Sequence, residues 1–327
     1  MSADRRPLTR REVLRIGAGV GAGLALGWIP LALRAAAASP DPPEAALLTK
    51  PIPSTGERIP VIGIGTARRY HVGSSEAERA PLREVLRAFA RMGGSVIDTA
   101  PSYGTAESVV GDLVAGLGIR DRLFFATKVG SGGRGVEAGL AEMRQSLARL
   151  RTDALDLLQV HNLAGVDAML PVLREWKREG RIRYLGVSTS FDRQHGALVA
   201  LMEREELDFI QVDYAIDNRT AADRILPLAA DRGIAVLTNL PFRRGRVLQA
   251  FGDRPVPEWA AELGIASWAQ FALKYVVSHP AVTCAIPGTA TLRYLEDNLG
   301  AARGPLPDEA TRRRMAALVD AAPGRAR

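Results

Sequence analysis

Short apolar runs alternate with amphipathic stretches along most of this chain. Within the amphipathic stretches, hydrophobic residues recur every three or four positions, as in Leu82, Val85, Leu86 and Phe89, and this spacing is typical of one buried helix face. Strands that alternate with helices favour a parallel sheet built from β/α units. Eight units follow one another, and their predicted strands cover residues 61–64, 96–97, 123–125, 155–160, 182–187, 209–212, 235–237 and 282–286.

Two further elements flank the eight units. Residues 49–60 are predicted to form a β-hairpin that closes the bottom of a barrel, and residues 308–322 a closing helix. The first helix is expected to begin at Pro81 and to end at Gly93, because proline is favoured at helix starts and glycine at helix ends. The pattern therefore predicts an α/β fold, a (β/α)8 TIM barrel with an N-terminal β-hairpin and an extra C-terminal helix, over residues 47–327.

Composition agrees with one large barrel and argues against nucleic-acid binding and against a metal site. The chain has 327 residues, of which 47% are hydrophobic, and this is enough for a large core. Much of the formal net charge of +7 comes from residues 1–38, where six arginines outnumber Asp4 and Glu12. The rest carries 37 basic and 34 acidic side chains, too even a balance to argue for nucleic-acid binding. Cys284 is the only cysteine, so no intramolecular disulfide can form, and no cysteine–histidine cluster has metal-ligand spacing, so no metal is predicted.

The first 38 residues have the layout of an export signal. A basic segment with paired Arg10 and Arg11 precedes an uncharged, glycine-interrupted run over residues 16–33, and an A-x-A site ends the segment. The arginine pair makes the segment resemble a twin-arginine (Tat) signal peptide. We therefore expect residues 1–38 to direct the protein through the Tat export machinery to the periplasm, and residues 39–46 to form a linker. An uncleaved membrane anchor stays open, because the apolar run is at the lower limit for crossing a bilayer.

Four polar residues come at or just after the ends of three consecutive predicted strands. Asp98 and Tyr103 follow the second strand, Lys128 follows the third, and His161 follows the fourth. In a (β/α)8 barrel the C-terminal ends of the strands meet at one face, where active sites lie. We therefore expect these four side chains to converge there. The remaining histidines are interpreted as surface or packing residues: His71, His195 and His279.

The residue types in this group suit the reduction of a carbonyl compound. A tyrosine hydroxyl with a pKa near ~10 is a weak acid, and a lysine ammonium beside it lowers that pKa. A carboxylate holds the ammonium in place, and a histidine can hydrogen-bond and orient a carbonyl oxygen. Protonation of that oxygen then accompanies the delivery of hydride to carbon, which is the chemistry of a reduced nicotinamide cofactor.

Seven segments, in order along residues 47–302, resemble the aldo-keto reductase family. They are IPVIGIGTAR, VIDTAPSYGTAES, LFFATKVG, LDLLQVHN, GRIRYLGVSTS, FIQVDY and AIPGTATLRYLEDN. The resemblance implies a nicotinamide-dependent oxidoreductase that reduces an aldehyde or ketone to an alcohol, with NADP as cofactor and NAD as the alternative. It also implies that Tyr103 is the proton donor, that Lys128 tunes it and that Asp98 anchors Lys128, while His161 orients the substrate carbonyl.

Cofactor contacts follow from the same resemblance, with two departures near the nicotinamide. Ser188 and Gln211 match family residues that hold the nicotinamide amide, while Thr189 replaces the usual asparagine. Asn239 stands where the family commonly places an aromatic ring against the nicotinamide. The expected cofactor-binding residues are Thr66, Ser188, Thr189, Gln211, Asn239, Thr289, Arg293 and Asn298.

The phosphate end departs from the family as well. NADP-selective members have a lysine and an arginine where this chain has Gly288 and Tyr294, although Thr289 and Asn298 are retained. Arg293 is expected to supply the missing cation, together with the N-terminus of the last barrel helix. Discrimination between NADP and NAD is therefore expected to be weaker than in those members.

Two other classes of function stay open. An exported sensor or assembly partner could hold the cofactor on the same fold with little turnover, because free NADPH is not expected outside the cytoplasm. A barrel hydrolase could use Asp98 and His161, although no metal cluster supports it. The small-molecule carbonyl substrate depends on loops over residues 67–76 and 242–258, and the sequence does not identify it.

Overall fold

The computed structural model describes residues 46–322, and the chain begins there with a short hairpin. Strand β1 (Thr49–Pro51) pairs antiparallel with β2 (Arg58–Pro60). Ile52 and Ile59 of this hairpin are buried among the side chains that line the inside of the barrel. The hairpin therefore closes the end of the barrel at which the strands begin, as the sequence predicts.

Eight parallel strands form a closed barrel within the described residues, and strands that are consecutive in the sequence are neighbours in the sheet. The first and last strands are joined where Ile62 bridges Ala285 and Gly65 bridges Gly288. A Cβ built on Gly65 would lie 2.7 Å from the carbonyl oxygen of Ile286, so the closure requires glycine there. The predicted (β/α)8 fold is confirmed. Its strands are β3 (Ile64–Gly65), β4 (Val96–Asp98), β5 (Phe124–Val129), β6 (Leu155–Val160), β7 (Ile182–Ser188), β8 (Phe209–Asp213), β9 (Ala235–Asn239) and β10 (Cys284–Ala285).

Helices surround the barrel and pack their apolar faces on the outward-facing side chains of the strands. The predicted closing helix is present as the last of them. Within residues 46–322 the α-helices are α1 (Glu76–Arg91), α2 (Ala106–Leu117), α3 (Val136–Leu150), α4 (Val166–Arg178), α5 (His195–Arg204), α6 (Ile225–Asp231), α7 (Arg246–Phe251), α8 (Trp268–Val277), α9 (Leu292–Gly300) and α10 (Glu309–Asp320).

The start of α1 differs from the sequence-based prediction. The helix begins at Glu76, and Pro81 lies inside it. Ser75 caps the helix, because its hydroxyl accepts the backbone N–H of Glu78 at 3.4 Å and donates to the Glu78 carboxylate at 2.6 Å. This reciprocal Ser-x-x-Glu arrangement satisfies a backbone donor that would otherwise lack a partner. The capping residues therefore set the helix start, and the preference of proline for a first position does not.

Side chains alternate between the inside and the outside of the barrel along each strand. On β5, Phe124 and Ala126 face the apolar interior, and Lys128 is the next residue on the same side. Near the hairpin the interior is aromatic, because Phe124, Tyr184 and Phe209 pack with ring centroids between 5.4 and 6.0 Å apart. Charged and amide side chains occur toward the C-terminal ends of the strands. The interior is therefore apolar at one end and polar at the other, which we call the mouth.

The predicted export signal, residues 1–38, lies outside the described residues, as does nearly all of the predicted linker, residues 39–46. Between residues 46 and 322, no helix combines the length and the apolar character needed to cross a bilayer. The predicted barrel region, residues 47–327, is described as far as residue 322.

Candidate active site

Lys128 and Asp98 form a buried ion pair at the mouth. Lys128 Nζ donates to Asp98 Oδ2 at 2.7 Å and to the carbonyl oxygen of Thr99 at 2.9 Å. The two side chains are only 1% and 4% exposed, respectively. Burial, the largest single effect, would lower the pKa of Lys128, but the charge of Asp98 and the contacts with Asp98 and Tyr103 together outweigh burial and raise that pKa above its ordinary value. Lys128 is therefore positively charged at neutral pH.

Two glutamines complete the surroundings of the Asp98 carboxylate. Its Oδ1 accepts a hydrogen bond from Gln211 Nε2 at 2.8 Å and another from Gln159 Nε2 at 3.4 Å. Gln159 is a further site residue and is not among those predicted from the sequence. The sequence does contain a pattern that could have identified it. Residue 159 lies two positions before His161, and side chains two positions apart face the same side of a strand. Both oxygens of Asp98 are therefore occupied, one by a cation and the other by two amides.

Tyr103 lies beside the ion pair, on the turn that follows β4. Lys128 Nζ is 5.2 Å from the centroid of the Tyr103 ring. Burial raises the pKa of Tyr103 above its ordinary value, and the positive charge of Lys128 opposes this effect without cancelling it. The net direction is opposite to the lowering expected from the sequence, because burial exceeds the influence of the ammonium. Tyr103 therefore keeps its proton at neutral pH, as a proton donor must.

His161 faces Tyr103 across the mouth. The two rings meet edge to face, with centroids 6.1 Å apart and planes at 86°. Burial lowers the pKa of His161 from 6.5 to about 4, and the charge of Lys128 adds to this effect. His161 is therefore neutral at pH 7 and can donate one N–H to a ligand oxygen. The fold thus brings together the four side chains that the sequence places at strand ends.

The loop after β3 supports the turn that follows β4. At the start of this loop, the hydroxyl of Thr66 donates to the carbonyl oxygen of Asp98 at 3.1 Å. Further along, His71 Nδ1 accepts the backbone N–H of Thr105 at 3.0 Å. A Cβ built on Gly104 would lie 2.1 Å from His71 Nδ1, so this close approach requires glycine. His71 is therefore more than the surface or packing residue inferred from the sequence, because it ties the loop to the turn that carries the tyrosine.

A second polar group lies at the ends of β7, β8 and β9, on the part of the mouth opposite the tyrosine. Asn239 Nδ2 donates to the carbonyl oxygen of Thr189 at 2.9 Å and to Gln211 Oε1 at 3.4 Å. Ser188 pairs in register with Gln211. The Thr189 hydroxyl instead donates to Gln194 Oε1 at 2.5 Å, so Thr189 contributes its backbone to this group. Gln211 links the group to the buried ion pair, because its nitrogen is bound to the aspartate.

The residues expected at the phosphate end occupy two separate places. Asn298 Nδ2 donates to Thr289 Oγ1 at 2.9 Å, and both side chains are buried. Arg293 instead lies on the exposed first turn of α9. Arg69 is a further cationic residue at this end of the site. Its side chain packs beside Gly288, since a Cβ built on Gly288 would lie 3.6 Å from Arg69 Cγ. Arg69 is not among the residues predicted from the sequence, although a pair of arginines, Arg68 and Arg69, follows β3 almost directly.

This geometry disfavours the hydrolase alternative. Asp98 is bound to a lysine and two glutamines, and none of the hydrogen bonds described for it in residues 46–322 comes from His161. The two residues therefore do not form a unit that would activate water. In the same part of the chain, no three His, Cys, Asp or Glu side chains are grouped so that they could hold a metal ion. The absence of a metal cofactor remains a prediction.

Fold and site together define a class of protein. At the C-terminal ends of its strands, the barrel presents a protonated tyrosine, a charged lysine held by an aspartate, and a neutral histidine. An acid, a positive charge and a hydrogen-bond donor around one point suit a reaction in which a carbonyl oxygen gains a proton. The class that fits is an oxidoreductase acting on carbonyl compounds.

Comparison with known proteins gives the family. The model of the aldo/keto reductase family matches residues 61–318, and the chain belongs to this family. Methylglyoxal reductase YeaE from Escherichia coli (strain K12) is 29% identical over 245 residues, covering 73% of this chain and 84% of that protein. An NADH-specific methylglyoxal reductase from the same organism is 29% identical over 227 residues, covering 60% of this chain and 67% of that protein.

Solved structures agree with this assignment. An aldo-keto reductase from Klebsiella pneumoniae in complex with NADPH has a TM-score of 0.71 to this chain and 27% sequence identity, covering 86% of this chain and 97% of the other. The expected fold and the expected class, a nicotinamide-dependent oxidoreductase, are confirmed. The nucleotide bound in that structure is the cofactor expected from the sequence.

Proposed function

We propose that this protein reduces an aldehyde or ketone to the alcohol with NADPH, and that Tyr103 donates the proton to the substrate oxygen. The observation that carries the proposal is the buried Lys128–Asp98 pair beside Tyr103. A phenolate is costly to form in a buried site unless a positive charge lies next to it. Lys128 supplies that charge, and Asp98 holds it in position.

The proposed proton transfer follows the charges of the site. Tyr103 begins protonated, because burial raises its pKa. When its proton moves to the substrate oxygen, Lys128 stabilises the phenolate that remains. His161 donates its N–H to the same oxygen, so negative charge that develops there is bound from two directions. Because His161 is neutral, it orients the oxygen without competing with Tyr103 as the acid.

The residues at the mouth fit a nicotinamide dinucleotide. When bound, this cofactor supplies hydride to the carbonyl carbon. Ser188, Gln211 and Asn239 would hold its amide, and the buried Thr289–Asn298 pair with the N-terminus of α9 would hold its adenosine phosphate end. The fit is supported by Asn239 Oδ1, a buried acceptor without a hydrogen-bond partner within residues 46–322. We take the cofactor to be NADP, because a relative of the same fold is solved with NADPH.

Small 2-oxoaldehydes are the substrate class we propose to test first. Two relatives from Escherichia coli are methylglyoxal reductases, and both share 29% identity with this chain. The test is the rate of NADPH oxidation by the full-length protein with methylglyoxal, compared with a panel of larger aldehydes and ketones. Turnover with at least one carbonyl supports the proposed reaction. Binding of NADPH without turnover on any of them would contradict it and would favour the cofactor-holding sensor.

We also propose that the protein acts outside the cytoplasm, in the periplasm. The proposal rests on the sequence of residues 1–38, with its arginine pair, uncharged run and A-x-A site. A pathway that carries folded proteins would let the barrel bind its cofactor before export. The membrane contact would then be transient, or would persist only through an uncleaved signal.

A further inference from the structure

We propose that Asn239, at the end of β9, accepts a hydrogen bond from the carboxamide N–H of the nicotinamide. It would supply an amide to a site in which Thr189 replaces the usual asparagine. The inference deepens the proposed function and rests on it, because it requires a nicotinamide cofactor at the mouth. It assigns Asn239 a defined partner on the cofactor and a defined direction of hydrogen bonding.

The hydrogen bonds of Asn239 determine which end of its amide is available to a ligand. The backbone carbonyl of Thr189 can only accept, and it lies 2.9 Å from the side-chain nitrogen of Asn239. Gln211 Oε1 accepts from the same nitrogen at 3.4 Å. Both hydrogens of the Asn239 amide are therefore directed at protein acceptors, and Oδ1 is the atom left for a ligand.

The charge of Asp98 determines the direction of the hydrogen bonds that run from Asn239 through Gln211 to Asp98. An ionised carboxylate only accepts hydrogen bonds, so the nitrogen of Gln211 must face Asp98, at 2.8 Å. The oxygen of Gln211 then faces Asn239 and requires the nitrogen of Asn239 in turn. The unused atom of the Asn239 amide is therefore its oxygen, an acceptor, and this polarity depends on Asp98, as the charge of Lys128 does.

Asn239 Oδ1 is buried and has no hydrogen-bond partner in the part of the chain that the structure describes. A buried acceptor without a donor is unfavourable, and most such atoms in folded proteins have a partner. The partner must be an N–H or O–H donor, since a ligand carboxylate would place two acceptors against each other. Asn239 also ends β9, which lies across the eight-stranded barrel from β5, whereas Tyr103 and His161 follow the two neighbours of β5, strands β4 and β6. A hydride donor must lie on that far side if the substrate oxygen is held by those two. The carboxamide of a nicotinamide ring supplies the required N–H at that place.

The test compares three nucleotides that differ in this one group. NADP⁺ carries the carboxamide, its 3-acetylpyridine analogue has a methyl in place of the amino group, and 2′,5′-ADP lacks the nicotinamide altogether. Dissociation constants are measured by calorimetry with the full-length parent and with Asn239→Leu. The parent should bind NADP⁺ about 2- to 12-fold more tightly than the acetylpyridine analogue, the range expected for one net hydrogen bond. In Asn239→Leu this ratio should fall to about one, while the affinity for 2′,5′-ADP stays unchanged.

Thr238→Val is the matched control. Thr238 is the neighbouring residue of β9 and faces away from the interior, so this variant should keep the parent's ratio. If Asn239→Leu binds NADP⁺ with the parent's full preference over the analogue, the inference is overturned while the oxidoreductase assignment stands. If Asn239→Leu also loses affinity for 2′,5′-ADP, the variant has disturbed the site. The ratio of the affinities for NADP⁺ and the acetylpyridine analogue is then measured in Asn239→Ser, and the same outcomes apply. A parent protein that binds neither NADP⁺ nor 2′,5′-ADP overturns the proposed function itself.

Discussion

Lys128 Nζ lies 2.7 Å from Asp98 Oδ2, although the two residues are 30 positions apart in the sequence. The parallel pairing of β4 with β5 brings them together. Each charge is buried only because the other compensates it, since an ion taken out of water without a partner costs several kcal/mol. The same contact therefore supports the folded barrel and, in the proposed reaction, places a positive charge beside Tyr103 when that residue loses its proton.

Replacing Asp98 with asparagine should destabilise the protein and abolish most of its activity. The variant leaves the Lys128 charge buried without a counter-ion, and the expected loss in the free energy of unfolding is about 3–5 kcal/mol. Denaturant titration measures it. Glu309→Gln is the control, because it breaks an exposed ion pair with Arg313 on α10 and should cost less than about 0.5 kcal/mol. Equal losses in the two variants would contradict the importance of the buried pair.

The rate of carbonyl reduction should be nearly independent of pH between about 5.5 and 9. Tyr103 and Lys128 must both be protonated, and both have raised pKa values, so they lose their protons only at more alkaline pH. His161 gains a proton only as pH falls toward about 4. A step near pH 6.5 would indicate an ordinary histidine and would contradict this assignment. Asp213→Asn is the control, because burial raises the pKa of Asp213 to about 6 and that group could titrate in the same range.

Discrimination between NADPH and NADH should depend on Arg69 and Arg293 together. One arginine–phosphate contact is worth roughly 1.5–3 kcal/mol, or about 10- to 150-fold in affinity, so each of the two arginines should contribute up to that factor to the preference for NADPH. Each single alanine variant should lower the preference in part, and the double variant should remove it while NADH binding barely changes. Cofactor fluorescence titration measures these affinities. A double variant that keeps the full preference would show that another group reads the 2′-phosphate.

Replacing Arg10 and Arg11 with lysines should leave the precursor in the cytoplasm, because the pair is the feature that the Tat machinery recognises. Both residues lie outside the described part of the chain, so the prediction rests on sequence alone. Cell fractionation should detect a product beginning near residue 39 in the periplasm for the parent and not for the variant. Unchanged export would mean that residues 1–38 act as a general secretory signal or an anchor.

The barrel and the four strand-end residues could be predicted because each depends on a local pattern. The run of β6 is found in the sequence at Leu155–Val160, the bounds that the structure gives. A titratable residue that ends such a run must lie at the C-terminal face of a parallel barrel. A residue at the end of a predicted strand is therefore expected at the mouth, and the helices between the strands do not change this expectation.

Other features depend on contacts that no local pattern contains. His71 meets the backbone N–H of Thr105 34 positions later, and the loop that carries His71 has no regular periodicity. Arg69 reaches Gly288 only because the barrel closes between its first and last strands. The raised pKa of Tyr103 also could not be inferred, because its direction depends on how deeply the ring is buried. The sequence indicates which groups are present, whereas the balance between burial and charge requires the fold.

Replacing Tyr103 with phenylalanine tests the proposed reaction most directly, because it removes one hydroxyl and keeps the ring. The phenol donates its proton only in the transition state, so the variant should still bind NADPH with nearly the parent's affinity. Its turnover of any carbonyl compound that the parent reduces should fall at least about 100-fold. The decisive measurement is the single-turnover rate of NADPH oxidation in Tyr103→Phe and in the parent, with cofactor and substrate both saturating. A large loss of rate with intact cofactor binding is the expected result, and equal rates in the two proteins would contradict the role of Tyr103 as proton donor.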